Sequence, residues 1–551
     1  MPISYKRSFN NAWNVAIFDT LKARALPALT LSNIFKINKL MKIFSAAQLS
    51  QADKITIEKQ DITSEALMER AGEQVFNWLH THLDGAPVTI RIFCGIGNNG
   101  GDGLVIGRLL IEHGYKVVVY VVNFSDKRSK NFLLNYNKIK NVTKDWPILM
   151  TSQADFPEIS DEDMIVDAIF GIGLNRSPEG WVRKLIQYLN ANQAFKLSVD
   201  IPSGLYANLP LKDKEAVLKA DHTLTFQTAK LCFFLPETAP FVSNFNILEI
   251  GLDLDFIKNT EPIAQLISKP EAQAFYQPRN KFDHKGTFGH VLIVGGSYGK
   301  IGAAVLSTSA AFKIGAGMVT AFVPECGYSI LQSTIPEAMV ITDKEEKFIS
   351  NIETDFKPSA IAIGMGLGKN KATVAALKKV LQLKDIPFVI DADALNIISE
   401  NKSLLDFLPS NSILTPHPGE LKRLIGTWKN DYDKLKKAKK FSEKHQVVLI
   451  IKGAYTITVY ENKLYINTSG NPGMGTAGSG DALSGVIAGL LSQGYDPLLA
   501  SVFGVYMHGS AGDIATGQLG FEAVMAGDIV ENISEAYLEL FSREEAHEQS
   551  Q

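Results

Sequence analysis

Short runs rich in β-branched and aromatic residues alternate along this chain with stretches whose apolar positions recur every three or four residues. That alternation predicts helices layered on largely parallel sheets. In the first half, residues 88–93, 116–122, 164–169, 195–199 and 222–226 read as strands; in the second half, 290–294, 318–323, 360–363, 388–390 and 447–451 do. Several of the first set run directly into polar or glycine-rich turns, and open α/β sheets place their sites just beyond the carboxyl ends of strands. Residues 251–278 carry no strong sheet pattern and contain Pro262 and Pro270. The domain boundary is therefore placed there, giving domains at 41–257 and 273–545 joined by a linker at 258–272. No short internal repeat appears, which excludes a solenoid.

A chain of 551 residues exceeds one ordinary core, in keeping with two domains. Its 46% hydrophobic and 21% charged residues and formal net charge of −3 give no general attraction to nucleic acid or to an acidic membrane surface. No apolar stretch reaches the ~18 residues of a membrane span. Cys94, Cys232 and Cys326 are odd in number and far apart. They read as reduced thiols of a cytoplasmic protein and not as a disulfide framework or a zinc site. Residues 1–40 set Lys6, Arg7, Lys22, Arg24, Lys36 and Lys39 against the lone Asp19. This basic extension is expected to be disordered or to lie upstream of a working start at Met41, with a transit peptide as the alternative. Residues 543–551 are polar and expected to fray.

The first candidate site is Cys94-Gly95-Ile96-Gly97-Asn98-Asn99-Gly100-Gly101-Asp102-Gly103, between a predicted strand and a helical run at 104–113. Gly95, Gly97 and Gly100 satisfy G-x-G-x-x-G in its strand–turn–helix setting, where backbone N–H groups can approach phosphate. The fingerprint is incomplete, because the position expected to carry an acid for the ribose falls near Asn123. Asn98, Asn99 and Asp102 either stabilise the turn or meet a ligand. Two further strand ends favour the ligand: Asp167 followed by Gly171-Ile172-Gly173-Leu174, and Asp200-Ile201-Pro202-Ser203-Gly204. Together they make an oxygen-lined pocket for a hard cation and a phosphate-bearing ligand.

From 46 to 252 the chain resembles the NAD(P)H-hydrate epimerases, a Rossmann-like three-layer α/β/α domain, through NNGGDG, DAIFGIGLNRS and DIPSG in order. The resemblance implies that Asn98, Asn99, Gly100, Gly101 and Asp102, with Gly171, Ile172, Gly173, Leu174, Asn175, Arg176 and Ser177, hold the hydrated cofactor. It further implies that Asn99, Asp167 and Ser203 coordinate K⁺, and that Asp200 contacts the substrate near the reacting ring. Asp200 is the candidate acid/base for inverting the carbon that carries the hydroxyl. Lys230, after the strand at 222–226, is expected to be solvated, with phosphate neutralisation as the alternative.

The second candidate site is Asn471-Pro472-Gly473-Met474-Gly475-Thr476-Ala477-Gly478-Ser479-Gly480-Asp481, ahead of a helical run at 482–491. Such glycines free backbone N–H groups for a transferring phosphoryl group, and an aspartate at the helix start can accept a proton from an attacking hydroxyl. The plainer reading is a loop with Asp481 as a helix cap. A P-loop-like stretch at Gly295–Ile301 has one residue too few between its glycines and lacks the Ser or Thr for magnesium. It reads as a packing turn.

The GSGD string is similar to the ribokinase-like superfamily. With Thr415-Pro416-His417-Pro418-Gly419-Glu420, Lys452-Gly453-Ala454-Tyr455-Thr456 and Gly364-Met365-Gly366-Leu367-Gly368, residues 276–537 resemble the ADP-dependent NAD(P)H-hydrate dehydratases, a ribokinase-like α/β domain. The resemblance implies that Ala303, Gly366, His417 and Asp481 contact the hydrated cofactor. Lys452, Gly453, Ala454, Tyr455, Thr456 and Gly480 would hold the adenine nucleotide. ADP would be consumed as co-substrate with Mg²⁺, releasing AMP and phosphate, and Asp481 would be the base. The expected substrates are therefore NADH and NADPH hydrates and an adenine nucleotide; homo-oligomerisation is left open. A ribokinase-like vitamin or sugar kinase behind a non-catalytic Rossmann-like module is the alternative. The pairing of both motif sets in one chain favours cofactor repair.

Overall fold

The computed structural model describes residues 41–542; the basic extension and the last residues of the tail lie outside them. In chain order, β1 (Lys42–Ile43) leads to helices α1 (Ala46–Gln60) and α2 (Ser64–Leu83), then β2 (Thr89–Cys94), α3 (Asn98–Glu112), β3 (Lys116–Val122), α4 (Lys130–Val142) and β4 (Ile148–Met150). There follow β5 (Met164–Ala168), α5 (Gly180–Ala191), β6 (Phe195–Val199), β7 (His222–Phe226) and β8 (Phe245–Leu248). Strands β2 to β8 form one sheet in the order β4-β3-β2-β5-β6-β7-β8, with every pair parallel. Winding reverses between β2 and β5. A crevice opens outside the carboxyl ends of such a pair, and ligands bind there in Rossmann-like sheets.

Next come α6 (Leu254–Asn259), β9 (Ala264–Ile267), α7 (Lys269–Phe275), β10 (His290–Val294), α8 (Ile301–Lys313), β11 (Met318–Val323), α9 (Tyr328–Thr334), β12 (Met339–Thr342) and β13 (Ala360–Ile363). Then follow α10 (Lys371–Val380), β14 (Phe388–Ile390), α11 (Ala392–Glu400), β15 (Ile413–Leu414), α12 (Pro418–Ile425), α13 (Asp431–His445), β16 (Val448–Ile451), β17 (Ile457–Tyr460) and β18 (Lys463–Asn467). Helices α14 (Ser479–Ser492), α15 (Pro497–Leu519), α16 (Ala526–Glu531) and α17 (Ile533–Phe541) complete the described chain. The second sheet runs β1-β9-β18-β17-β16-β15-β14-β13-β10-β11-β12. Its strands from β10 to β16 pair in parallel, and β16, β17 and β18 form an antiparallel meander. This is a second α/β domain, built on a mixed sheet.

The predicted strands lie within a residue of the observed ones. The expected linker at 258–272 does not exist as such. It holds the end of α6, all of β9 and the start of α7, and β9 pairs with both β18 and β1. The two prolines misled the reading because each stands where it interrupts nothing: Pro262 precedes the strand, and Pro270 occupies the first turn of α7, where a missing N–H costs no bond. Ala264, Leu266 and Ile267 are buried. Through β1, the start of the described chain is thus stitched into the second domain's sheet.

The two domains also share one apolar core. Ile201, Leu205, Leu231, Phe233 and Phe234 of the first pack in a single cluster with Ile363, Leu414, Leu449 and Ile457 of the second. A reciprocal pair of backbone-to-carboxylate bonds reinforces it, Glu237 N–H to Asp431 Oδ2 at 2.8 Å and Asp431 N–H to Glu237 Oε2 at 3.1 Å. Among the described residues, no helix is long and apolar enough to cross a membrane.

Candidate active sites

The NNGGDG string is helix, not loop. Residues Asn98 to Asp102 form the first turns of α3, capped by Gly97 with no side-chain bond to the helix N–H groups. Asn and Gly are weak helix formers, so packing decides the conformation. A Cβ on Gly103 would lie 2.7 Å from Ala168 Cβ and 2.8 Å from Cys94 Sγ; one on Gly100 would lie 1.7 Å from the Gly95 carbonyl oxygen. These glycines let α3 press onto the ends of β2 and β5, aiming an uncapped N-terminus into the crevice.

A cleft of ≈ 670 Å³ occupies that crevice. Asn98, Asn99, Asp102, Gly171, Ile172, Gly173, Leu174, Asn175, Arg176 and Asp200 all line it. Gly100 and Gly101 do not: they are buried against Gly95 and Met68. Ser177 also turns away, its hydroxyl 3.0 Å from Tyr206 Oη. Beneath the floor, Asp167 is fully buried and accepts bonds from Ser203 Oγ (2.5 Å), Ser203 N–H (2.8 Å), Ser198 Oγ (2.9 Å) and Ile169 N–H (3.3 Å). Burial nevertheless raises its carboxyl above the usual range, outweighing those bonds. Asn99 is buried beside the floor with its Nδ2 unpartnered.

Asp200 sits in the left-handed region at φ 67°, a strained conformation for a residue other than glycine and one that recurs at functional sites. Its Oδ1 lies 2.8 Å from Lys230 Nζ and accepts from the Phe226 N–H at 3.3 Å. Lys230 is neither solvated nor free to meet a phosphate, contrary to both sequence-based readings. It is 1% exposed, and its ammonium also donates to Thr225 Oγ1 and to the carbonyls of Phe226 and Thr228. A long cationic side chain is buried this way only when paired, and sequence alone did not reveal the partner.

The sequence reading also missed Asp53. It projects from α1 into the same cleft, and burial, reinforced by Asp200, raises its carboxyl to about 6 against the opposing pull of Lys230. Asp102 is pushed well above its ordinary value by burial, then by Asp200 and Asp53.

The second site forms where α14 meets the carboxyl edge of the parallel strands. Gly478 caps α14 at φ 91°, again with no side-chain bond to the helix N–H groups. Asp481, one turn in, has its carboxyl raised to about 6, first by burial and then by Asp391, with Lys452 opposing and Asp393 and Glu420 adding. Lys452 is bonded to Asp391 at 2.9 Å, and Ser484 Oγ donates to the same carboxylate at 2.8 Å. Gly480 sits against this pair; a Cβ there would be 3.1 Å from Lys452 Nζ. Asp391 and Asp393 were not singled out from sequence, although a D-A-D string just past the strand at 388–390 repeats the signal that marked Asp200.

Gly366 and Ala303 lie side by side, with an ideal Cβ on Gly366 3.2 Å from Ala303 Cβ. His417 caps α12, its Nδ1 accepting the Gly419 N–H at 3.0 Å while the side chain remains 52% exposed. Gly453 and Ala454 are exposed, and Thr456 Oγ1 reaches back to the Gly453 carbonyl at 3.3 Å. The Tyr455 ring meets Phe234 of the first domain edge-on at 5.0 Å. The turn at 295–301 packs as expected, Gly296 N–H donating to the Met365 carbonyl at 2.8 Å.

Fold and sites therefore define a two-domain α/β enzyme, with a Rossmann-like domain and a second α/β domain that each present a glycine-capped helix start and an aspartate at a sheet edge. Residues 64–232 match the family model described as YjeF-related protein N-terminus, and residues 291–535 match NAD(P)H-hydrate dehydratase. The bifunctional NAD(P)H-hydrate repair enzyme of Moorella thermoacetica is 35% identical over 508 residues, covering 89% of this chain and 96% of that one. The Escherichia coli enzyme of the same name is 31% identical over 490 residues, covering 88% and 92%. A Bacillus subtilis structure titled ADP/ATP-dependent NAD(P)H-hydrate dehydratase covers 50% of this chain and 97% of its own at 26% identity, with a TM-score of 0.43. The chain belongs to the bifunctional NAD(P)H-hydrate repair enzymes.

Proposed function

We propose that the first domain interconverts the R and S hydrates of NADH and NADPH. The second then dehydrates the S form at the expense of ADP, releasing AMP and phosphate. The observation that carries this reading is that one chain with one shared core holds an Asp200–Lys230 pair at the first cleft and an Asp391–Lys452 pair beside Asp481 at the second. Water leaves a saturated ring carbon poorly, whereas phosphate leaves well. Asp481 takes the hydroxyl proton as phosphoryl transfer begins, and the free N–H groups at the start of α14 stabilise the transferring charge. Gly366, Ala303 and His417 flank the hydrate; Lys452 to Thr456 and Gly480 hold the nucleotide.

Mg²⁺ would accompany the nucleotide, held on its phosphates. Asn99, Asp167 and Ser203 offer the oxygens that would hold K⁺, an amide oxygen, a buried carboxylate and a hydroxyl, and a monovalent cation would offset the carboxylate's charge. A bound ion would supply only this compensation, while Asn99 and Arg176 would orient the hydrate. No nucleic acid or membrane partner is invoked, and a cytoplasmic setting accords with three free cysteines.

The test is a mixture of R and S hydrates incubated with ADP, followed by dihydronicotinamide absorbance. Full recovery supports both activities, recovery of the S share alone implies a silent first domain, and no recovery rejects the reading.

A further inference from the structure

Six ionisable side chains line the first cleft: Asp53 from α1, Asp102 from α3, Asp200 after β6 and Lys230 after β7, with Lys127 and Arg176 on loops around them. Lys230 is saturated by Asp200 and three uncharged oxygens, and among the described residues neither Asp53 nor Asp102 has a salt-bridge partner. Asp102 is buried within α3. Asp53 is half-buried on the wall, so one carboxyl with a raised pKa and one lysine-paired carboxylate share a single cavity. Environments that differ in this way assign acid and base roles to two carboxyls. Asp53 also precedes the segment 64–232 matched by the family model. Its helix is anchored by β1, which pairs with β9 of the second domain, and by the Ala46 N–H to Asn208 Oδ1 bond at 3.1 Å.

Resting on the epimerase reading above, we propose that Asp53 is a second catalytic residue of the first domain, the general acid that works with Asp200 as general base. Hydration of an enamine double bond places the hydroxyl on the carbon next to the ring nitrogen. The C–O bond breaks as Asp53 delivers its proton to the departing hydroxyl, forming water, while the nitrogen lone pair closes a C=N⁺ bond. Water then adds to the opposite face of that carbon, the C=N⁺ pair returns to nitrogen, and Asp200 accepts the proton released by the water. One proton passes from Asp200 back to Asp53 to complete the cycle. No oxidant, reductant or nucleotide is consumed.

The experiment uses the full chain, wild type and Asp53→Asn and Asp53→Glu, given pure R hydrate without ADP. Appearance of the S form is followed by chromatography; ADP-dependent dehydration of pure S hydrate is read on the same preparations. The expected result is a loss of about 100-fold or more in interconversion kcat for Asp53→Asn, KM within about threefold, dehydration unchanged, and partial recovery in Asp53→Glu. Interconversion within about threefold of wild type in Asp53→Asn overturns the role of Asp53 alone; a wild type that never interconverts the forms overturns the epimerase reading itself. A second measurement needs no variant. With Asp102, Asp200 and Lys230 around Asp53 and Lys127 and Arg176 also lining the cleft, wild-type interconversion kcat falls as pH rises past about 6, because the acid form is lost. A flat profile from about pH 5 to 8 contradicts the proposal.

Discussion

Replacing Asp481 by Asn should make the protein more stable and nearly inactive in dehydration. In the fold its carboxyl is raised from 3.8 to about 6, chiefly by burial and by Asp391. The folded state thus binds the proton more tightly than the unfolded chain, so stability declines as pH rises from about 4 to about 6 and stays lower above that window. The difference amounts to about 3 kcal/mol at pH 7, which an uncharged Asn of the same shape recovers. Spread over a cooperative unit of roughly 500 residues at about 2.1 cal/mol/K each, that gain raises Tm by about 3 °C. At about pH 3.5 the two proteins should melt alike. The same substitution removes the base, lowering dehydration kcat by about 10²–10⁴-fold, while wild-type dehydration climbs as pH rises through about 6. Calorimetric melts from about pH 3.5 to 8, with S-hydrate turnover on the same samples, measure both effects. A variant that melts below wild type at pH 7, or that retains near-normal turnover, refutes the reasoning.

Further predictions concern the scaffold around the sites. Asp200→Asn should bind the hydrate normally, by equilibrium dialysis, yet show no epimerisation; unchanged turnover would remove Asp200 from the chemistry. Lys230→Met leaves a 9%-exposed carboxylate without its cation and should cost about 3–5 kcal/mol in denaturant unfolding. Gly478→Ala places a Cβ at φ 91°, 2.5 Å from Leu306 Cδ1. It should cost about 1–2 kcal/mol and depress dehydration while epimerisation continues. Phe234→Ala deletes a ring buried in the shared core. A loss of about 3–5 kcal/mol is expected, with both activities failing at one lowered melting temperature; a lowered transition confined to the first activity would show that the core is not shared.

The central strands were legible because a parallel sheet buried on both faces writes itself as continuous apolar runs. Strands at the margins were not. Ile148 and Leu149 of β4 are exposed, and β9 has four residues between prolines. The NNGGDG string read as a turn from propensity, yet tertiary contact with Ala168 and Cys94 makes it helix. Motif residues such as Asp200 and Asp481 could be found because each follows a strand or opens a helix. Asp53 could not: it is one acidic residue on an amphipathic helix, and only the docking of α1 turns it toward the cleft. Lys230 was misjudged because a lysine is solvated by default, and nothing local announces a partner thirty residues upstream.

The central claim, two consecutive activities in one chain, is tested most directly with pure R hydrate. Supplied with ADP, Mg²⁺ and K⁺, the wild-type protein should restore the full dihydronicotinamide absorbance. Asp200→Asn should recover no more than slow spontaneous epimerisation delivers, although it consumes pure S hydrate at the wild-type rate. Equal recovery from R hydrate by both proteins, or none by the wild type while S hydrate is consumed, would contradict the account.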